Sequence, residues 1–435
     1  MPRIAFIGAG SLLFSRRLMI DILTFPDLRD STFALMDTDP KRLDYARRVA
    51  ERILREGDFP ASVEATTDRR QALKGADYVV IMILVGGVEA IHPDIEIPLR
   101  YGVDQCIGDT LGPGGVFRAL RTIPVIIDIC RDMEDLCPEA WLLNYTNPMA
   151  MLCWAMNKAT AIKNVGLCHS VQGTAFQLAT IIGASIQKIS YWVAGINHQA
   201  WFLEYKWKGE DAYPLIRERM QDPLVYSTET TRAELLKHLG YFVTESSGHA
   251  SEYTPWFRKR PDLLQKYTPG GGWNGGTAFI LQLYETDRED YEAELERAAS
   301  GQEPLATYRS EEYASHIINS LHTGQPCRIN GNVRNDGLIT NLPQGACVEV
   351  PCFVDKHGIN PCFVGDLPPQ CAALNRSNIA VQEMAVSAAL SGDRRLALHA
   401  VAADPLTAAV LSLDEIQQMV DEMFATEARW LPQFA

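Results

Sequence analysis

"RIAFIGAGSLLF", residues 3–14, decides the fold. Its opening residues form an apolar run of strand length. Gly8-Ala9-Gly10-Ser11 follows at once and leads into a helix-like segment, "SRRLMIDILTF". A second apolar run, "TFALMDTD", ends in Asp37. Strand, glycine turn, helix, strand and acid together make the pattern of a dinucleotide site. Gly8 and Gly10 allow a tight turn and a close backbone approach to a pyrophosphate. Ser11 opens the helix, whose N-terminus carries partial positive charge, and Asp37 can accept from ribose hydroxyls. The third glycine position of the fingerprint is Leu13, so a plain strand–turn–helix is the competing reading. The Asp37 carboxylate favours NAD over NADP, because a 2′-phosphate would meet negative charge. Lys41 and Arg42 nearby temper that preference.

Outward from this unit the pattern repeats. "RLDYARRVAERILREG" has helical spacing, and "ADYVVIMILVGG" (76–87) reads as a parallel strand buried on both faces. "RTIPVIIDICRDMEDLCP" reads as helix, and "AWLLNYTNP" as a strand with polar residues at its C-terminal end, where open α/β sheets bind ligands. Asn144 and Asn147 are therefore expected to face the site. Asn147-Pro148 also reads as an N-cap with proline at the first helical position. The expected fold is α/β: a Rossmann-type doubly wound nucleotide-binding domain over residues 1–195, then an α+β substrate domain over 196–435, similar to the C-terminal part of lactate and malate dehydrogenases. In the second part "EEYASHIINSLHTG" and "QCAALNRSNIAVQEMAVSAALSG" read as helices, and "NDG" and "PQG" as turns between strands. "TPGGGWNGGTAF" (268–279) reads as a flexible loop near the site or at a subunit contact.

Composition narrows the function classes. The 435 residues are 47% hydrophobic and 22% charged, with a net charge of −14, so the chain can bury a large core. An acidic chain without a basic block is a poor nucleic-acid binder. There is no apolar run long enough for a membrane helix and no basic amphipathic helix, and the opening residues lack the basic and long apolar regions of a secretory leader, so none is expected. With no leader, the ten cysteines are expected to be reduced thiols in the cytoplasm.

"VGLCHSVQGT" (165–174) puts Cys168 and His169 at another strand end, where a nicotinamide would project. "ISYWVAGINHQAWFLEYKW" alternates like one strand and carries Asn197-His198. A thiolate and an imidazole with open positions suit a catalytic borderline metal. The competing readings are a buried small hydrophobe for Cys168 and a satisfied strand histidine for His198.

The chain resembles the NAD- and divalent-metal-dependent glycosidases of family 4, and within it the melibiase (α-galactosidase) branch. The resemblance is carried by "FIGAGS", "DTLGPGGVFRALRTIP", "LNYTNPMAM", "VGLCHSVQGTA", "AGINHQAWF", "LGYFVTESSGHASEYTPWF" and "GNVRNDGLITNLPQGACVEVPCFVD". It implies that Cys168 and His198 hold a divalent metal, commonly Mn²⁺, that Asn147 contacts the sugar, and that Tyr253 is the base. His169 stands where members acting on 6-phosphorylated sugars usually carry Asp or Asn, which implies an unphosphorylated substrate. The implied route is oxidation, elimination, addition and reduction: hydride leaves C3 for NAD⁺, Tyr253 takes the C2 proton, the aglycone departs, water adds, and NADH returns the hydride. His169 and Asp109 are the two candidates for the leaving-group acid. The partners implied are a small sugar and, by analogy, further copies of the chain in a homodimer or homotetramer.

Three other readings compete. An NAD-dependent dehydrogenase would share the nucleotide domain, and a non-catalytic NAD sensor would not need Cys168, His198 and Tyr253 together. Within the family, an α-glucuronidase or α-galacturonidase would use Arg258, Lys259 and Arg260 to hold a carboxylate. That run could equally be a solvated surface turn.

Overall fold

The computed structural model describes residues 1–302, 304–305 and 308–434, with residues 12, 13 and 287–292 described by their backbone alone. The strands are β1 (Arg3–Ile7), β2 (Thr32–Met36), β3 (Ser62–Thr66), β4 (Tyr78–Ile81), β5 (Trp141–Asn144), β6 (Asn164–Gly166), β7 (Ile189–Ile196), β8 (Gln199–Trp207), β9 (Glu210–Asp211), β10 (Cys327–Arg334), β11 (Cys347–Asp355) and β12 (Gly358–Pro361). They form one 12-stranded sheet in the order β3-β2-β1-β4-β5-β6-β10-β11-β7-β8-β9, with β12 on β11. The first six are parallel, and 3-2-1-4-5-6 is the doubly wound order of dinucleotide-binding folds. From β6 onward the pairing is antiparallel. This is the expected α/β architecture, with an antiparallel second part.

Burial explains why the central strands form. β4 is buried along its whole length, and β1 and β2 at four of five positions, as strands covered by helices on both faces must be. The helices Leu12–Leu23, Pro40–Glu56 and Gly112–Leu136 connect or cover them. The second of these starts on Asp39, whose side chain accepts from the Lys41 and Arg42 amides, satisfying N–H groups left open at a helix start.

The stretch 189–207, which alternates like one strand, is a hairpin. β7 and β8 pair antiparallel from Ile189↔Trp207 to Ile196↔Gln199. Asn197-His198 is its two-residue turn, with His198 in the left-handed region at φ 61°. The alternation runs through the turn without a glycine or proline to mark it, because His198 occupies a position where glycine is the usual residue.

The parallel and antiparallel parts meet along a single cross-sheet row. Gly166 of β6 pairs with Asn332 of β10, Asn332 with Glu349 of β11, and Glu349 with Gly195 of β7. The β10–β11 ribbon thus separates β6 from β7. Cys168 lies just beyond the end of β6, and His198 just beyond the end of β7.

Candidate active site

The glycine turn lies where β1 is flanked by β2 on one side and β4 on the other, the switch point at which such sheets bind ligands. Gly8 has φ 90°, and a Cβ there would lie 2.3 Å from the Met82 carbonyl oxygen. A Cβ on Gly10 would lie 2.6 Å from Asp37 Oδ2. Both glycines are thus required by backbone geometry and close packing. The Gly10 amide donates to Asp37 Oδ2 at 2.8 Å and the Asp39 amide to Oδ1 at 3.0 Å. Asp37 therefore braces the loop, and a carboxylate with further lone pairs can still accept from a ribose. Ser11 is exposed at the N-cap of the first helix and makes no side-chain cap bond.

Beyond the strand ends the chain assembles a buried cluster. The ligating atoms of Cys168, His198 and Glu245 all lie within 4.8 Å of one another, as do those of Asp109, His198 and His249. His198 is shared: its Nε2 is 3.8 Å from Glu245 Oε2, and its Nδ1 is 3.3 Å from the Tyr253 hydroxyl and 3.4 Å from Thr110 Oγ1. His249 Nε2 stands 3.8 Å from Asp109 Oδ1, and its Nδ1 3.6 Å from Glu245 Oε1. A soft thiol, two imidazoles and two carboxylates form a donor set that fits a borderline divalent ion. Asn147, bonded to Asp109, and Asn197, next to His198 in the hairpin turn, keep unpartnered buried atoms: Oδ1 of the first, both polar atoms of the second. Unpaired buried groups are rare, and a ligand is one way of satisfying them. Glu245 and His198 both hold positive φ, 71° and 61°, and backbone strain of this kind concentrates at functional sites.

The protonation states follow from the packing. Burial pushes the His198 imidazole down to about 4, so near neutral pH it is uncharged and able to coordinate. Burial also favours neutral His249, but Glu245 and Asp109 outweigh it and raise His249 to about 9. Burial opposes ionisation of Asp109, yet His249 and Arg118 hold its carboxyl well below the usual range. Glu245 is likewise lowered, by His249 and His198 against burial. Burial, with Glu245 and Glu349 nearby, drives the Cys168 thiol well above its ordinary value. Burial and Asp109 do the same to Tyr253. Without a cation the cluster therefore contains a thiol, a phenol and an imidazolium beside two carboxylates.

Local structure positions each group. Ser246 caps the helix Ser247–Glu252 by accepting from the His249 amide, and the left-handed turn at Glu245 just before the cap brings its carboxylate to the His249 ring. Glu252 points back and accepts from the Ile107 and Gly108 amides at 2.5 and 3.0 Å, anchoring the loop that carries Asp109. Asn147 donates to Asp109 Oδ2 at 2.9 Å. It does not cap the following helix: the Asn147–Pro148 peptide is cis, Pro148 occupies the N-cap, and the helix begins at Met149. Asn144 does not reach the cluster, because its side chain is closed on the Thr146 amide and carbonyl.

His169 lies at the rim, its side chain 68% exposed and 3.6 Å from Glu312. The run Arg258-Lys259-Arg260 is not simply a solvated turn. Arg258 is 1% exposed; it pairs with Asp104 and donates to the Gly275 carbonyl at 2.7 Å and Ser251 Oγ at 3.1 Å. Arg260 is paired with exposed Asp262. Glu245 and His249 are the residues missed from the sequence, although both fall in the quoted "TESSGHASEYTPWF". An acid and a histidine four apart across a serine cap was the available signal. The glycine-rich stretch 268–279 borders this same site: Thr277 donates to Asp104, Ala278 N–H to the Gln105 carbonyl, and Cys106 Sγ to the Gly272 carbonyl.

A doubly wound sheet with a glycine turn at its switch point, and a thiol–imidazole–carboxylate cage past the ends of β6 and β7, defines the class: an enzyme joining a dinucleotide to a divalent metal. The chain belongs to glycoside hydrolase family 4. The profile "Family 4 glycosyl hydrolase" matches residues 3–184 and "Family 4 glycosyl hydrolase C-terminal domain" matches 193–407. An α-galactosidase of Rhizobium meliloti is 44% identical over 100% of this chain and 90% of its own length; one of Bacillus subtilis is 43% identical over 100% of both. Among solved structures, a 6-phospho-α-glucosidase from gut microorganisms in complex with NAD and Mn²⁺ superposes with TM-score 0.82 at 18% identity, covering 99% of this chain and 98% of that one. Malate dehydrogenase from Plasmodium falciparum shares the fold more distantly, with TM-score 0.53 at 13% identity over 91% of this chain and 100% of its own. No helix among the described residues is long and apolar enough to cross a membrane.

Proposed function

We propose that the protein hydrolyses unphosphorylated α-galactosides of the melibiose type, using NAD⁺ and a divalent ion, Mn²⁺ or a close relative. The observation that carries this reading is full-length identity of 44% and 43% to two α-galactosidases. Burial of Arg258 supports a galactoside over a uronide, since its guanidinium is already engaged by Asp104. Gly8, Gly10, Ser11 and Asp37 would hold the dinucleotide, and Cys168, His198 and Glu245 the ion. When bound, NAD⁺ supplies a hydride acceptor for C3 of the sugar, and the ion supplies a Lewis acid for the C2 and C3 oxygens whose charge also favours ionised Tyr253.

The rest is the work of side chains. Tyr253 stands beside His198 and would take the proton from C2. Asn147 has one amide end fixed by Asp109 and the other unpaired, so it can accept from a sugar hydroxyl. Of the two candidates for the donor to the departing oxygen, His169 at the rim is preferred, because His249 and Arg118 hold the Asp109 carboxyl in its ionised form. In this reading residues 1–195 form the nucleotide part and 196–435 the substrate part, and the enzyme is a cytoplasmic homodimer or homotetramer. The test is hydrolysis of p-nitrophenyl α-galactoside, α-glucoside, α-galacturonide and α-glucuronide, each with and without NAD⁺, Mn²⁺ and reductant. Galactoside turnover that requires NAD⁺ without net NADH accumulation is expected. A uronide preference would overturn the substrate, and stoichiometric NADH release would identify a dehydrogenase.

A further inference from the structure

The cluster is almost sealed from solvent, yet one aromatic ring borders it from outside. Tyr253 is 1% exposed and His249 3%, while Trp273 is 49% exposed. The Trp273 indole lies nearly parallel to the His249 imidazole, 7° between planes with centroids 6.4 Å apart. Phe279 meets it edge-on at 5.1 Å. His249 in turn lies 6.1 Å from the Tyr253 ring and 4.6 Å from the His198 ring. The rings thus step outward from the reacting centre, and Trp273 is the outermost.

Its loop is built to hold it there. The Trp273 carbonyl packs so closely on the helix Ser247–Glu252 that a Cβ on Gly248 would lie 2.8 Å from it. Arg258 donates to the Gly275 carbonyl, Thr277 to Asp104, and Asn274 Nδ2 to the Ser227 carbonyl at 2.6 Å. The start of the following helix, at Ile280 and Leu281, is buried against Ile91, Ile95, Cys106 and Ile107. A half-exposed indole fixed by this many ties presents a rigid apolar face beside a polar pocket. Such a face suits the C–H side of a pyranose ring, which is apolar while its hydroxyls point outward.

We propose that Trp273 is the platform on which the ring next to the cleaved sugar stacks, making it a specificity residue for ring-bearing leaving groups. This rests on the glycosidase reading above. The sugar being oxidised must reach Tyr253 and the cage, so Trp273, one imidazole further out, is left for the ring beyond the scissile bond. The substrate class that follows is a disaccharide or longer glycoside rather than a simple alkyl glycoside.

The experiment compares kcat/KM for melibiose with kcat/KM for methyl α-galactoside in the wild type, Trp273→Ala and Trp273→Phe, with NAD⁺ and Mn²⁺ saturating. The ratio of the two constants should fall roughly three- to tenfold in Trp273→Ala, the scale of one aromatic stacking contact, and Trp273→Phe should recover most of it. An unchanged ratio overturns the proposal, including the case in which both constants fall together because Trp273 merely orders His249. The same ratio is measured on whichever glycone the wild type hydrolyses, so failure on galactosides overturns the galactoside reading and leaves this one to its own result.

Discussion

Removing the thiol from the cage should change how metal binding responds to pH. In the ion-free cluster Cys168 carries a proton well above neutral pH, whereas His198, at about 4, has already lost its own. Glu245 is ionised, its carboxyl lowered by His249 and His198. Binding at Cys168, His198 and Glu245 must therefore displace one proton, that of the thiol, because only the thiolate is a ligand. One proton released per ion makes the association constant rise about tenfold per pH unit, or roughly 100-fold between about pH 6.5 and about pH 8.5. Cys168→Ser should weaken binding and flatten that slope, since a serine hydroxyl keeps its proton. Titration calorimetry with Mn²⁺, in buffers of different ionisation enthalpy, reads both the constant and the proton count. A pH-independent constant in the wild type would refute the thiolate. A slope of one surviving in Cys168→Ser would move the proton to His249, raised to about 9, and the ion to the triad of Asp109, His198 and His249.

Tyr253→Phe keeps the buried ring and deletes the group assigned to C2, so kcat should fall by about 10²- to 10⁴-fold with NAD⁺ affinity retained. In D₂O the wild-type product should carry deuterium at C2, and its absence would refute the elimination route. Glu349 sits in the row joining the two halves of the sheet with both carboxyl oxygens unpartnered. Burial, with Glu245 adding to it, raises it to about 8. An unfolded glutamate ionises near about 4.3, so the folded state holds the extra proton, and stability should fall as pH rises through that window, by at most about 1.4 kcal/mol per pH unit. Glu349→Gln should flatten that dependence in urea unfolding measured across the window; an unaltered slope would show that Glu349 is not its source.

Five of the six parallel strands were readable as apolar runs with glycine or polar residues after them, whereas β3, exposed at three of its five positions, offered no such run. Cys168 was found at such a strand end; His198 was picked out inside an alternating stretch read as one strand. The hairpin at 189–207 was hidden because its turn contains neither glycine nor proline, and His198 takes the left-handed conformation in their stead. Glu245 and His249 were invisible as ligands for a different reason. Their role depends on meeting Asp109 and Cys168 across more than 75 residues of intervening chain, and composition says nothing about that meeting. Arg258 shows the converse error of a local reading. Beside Lys259 and Arg260 it looks like surface charge, but its partner Asp104 lies 154 residues earlier and carries it into the interior.

The row Gly166–Asn332–Glu349–Gly195 also bears on the timing of assembly. Every candidate cage residue, from Asp109 to His249, leaves the ribosome before β10 and β11 exist. The helix after Cys168 already packs on the β7–β8 hairpin, with Val171, Ala175 and Leu178 against Val193 and Phe202, whereas residues 327–355 supply the strands that lie between β6 and β7 in the sheet. The strand ends beside Cys168 and His198 thus take their place in the sheet from strands made after them. A nascent chain stalled short of β11 would carry every proposed ligand without the sheet row that aligns them.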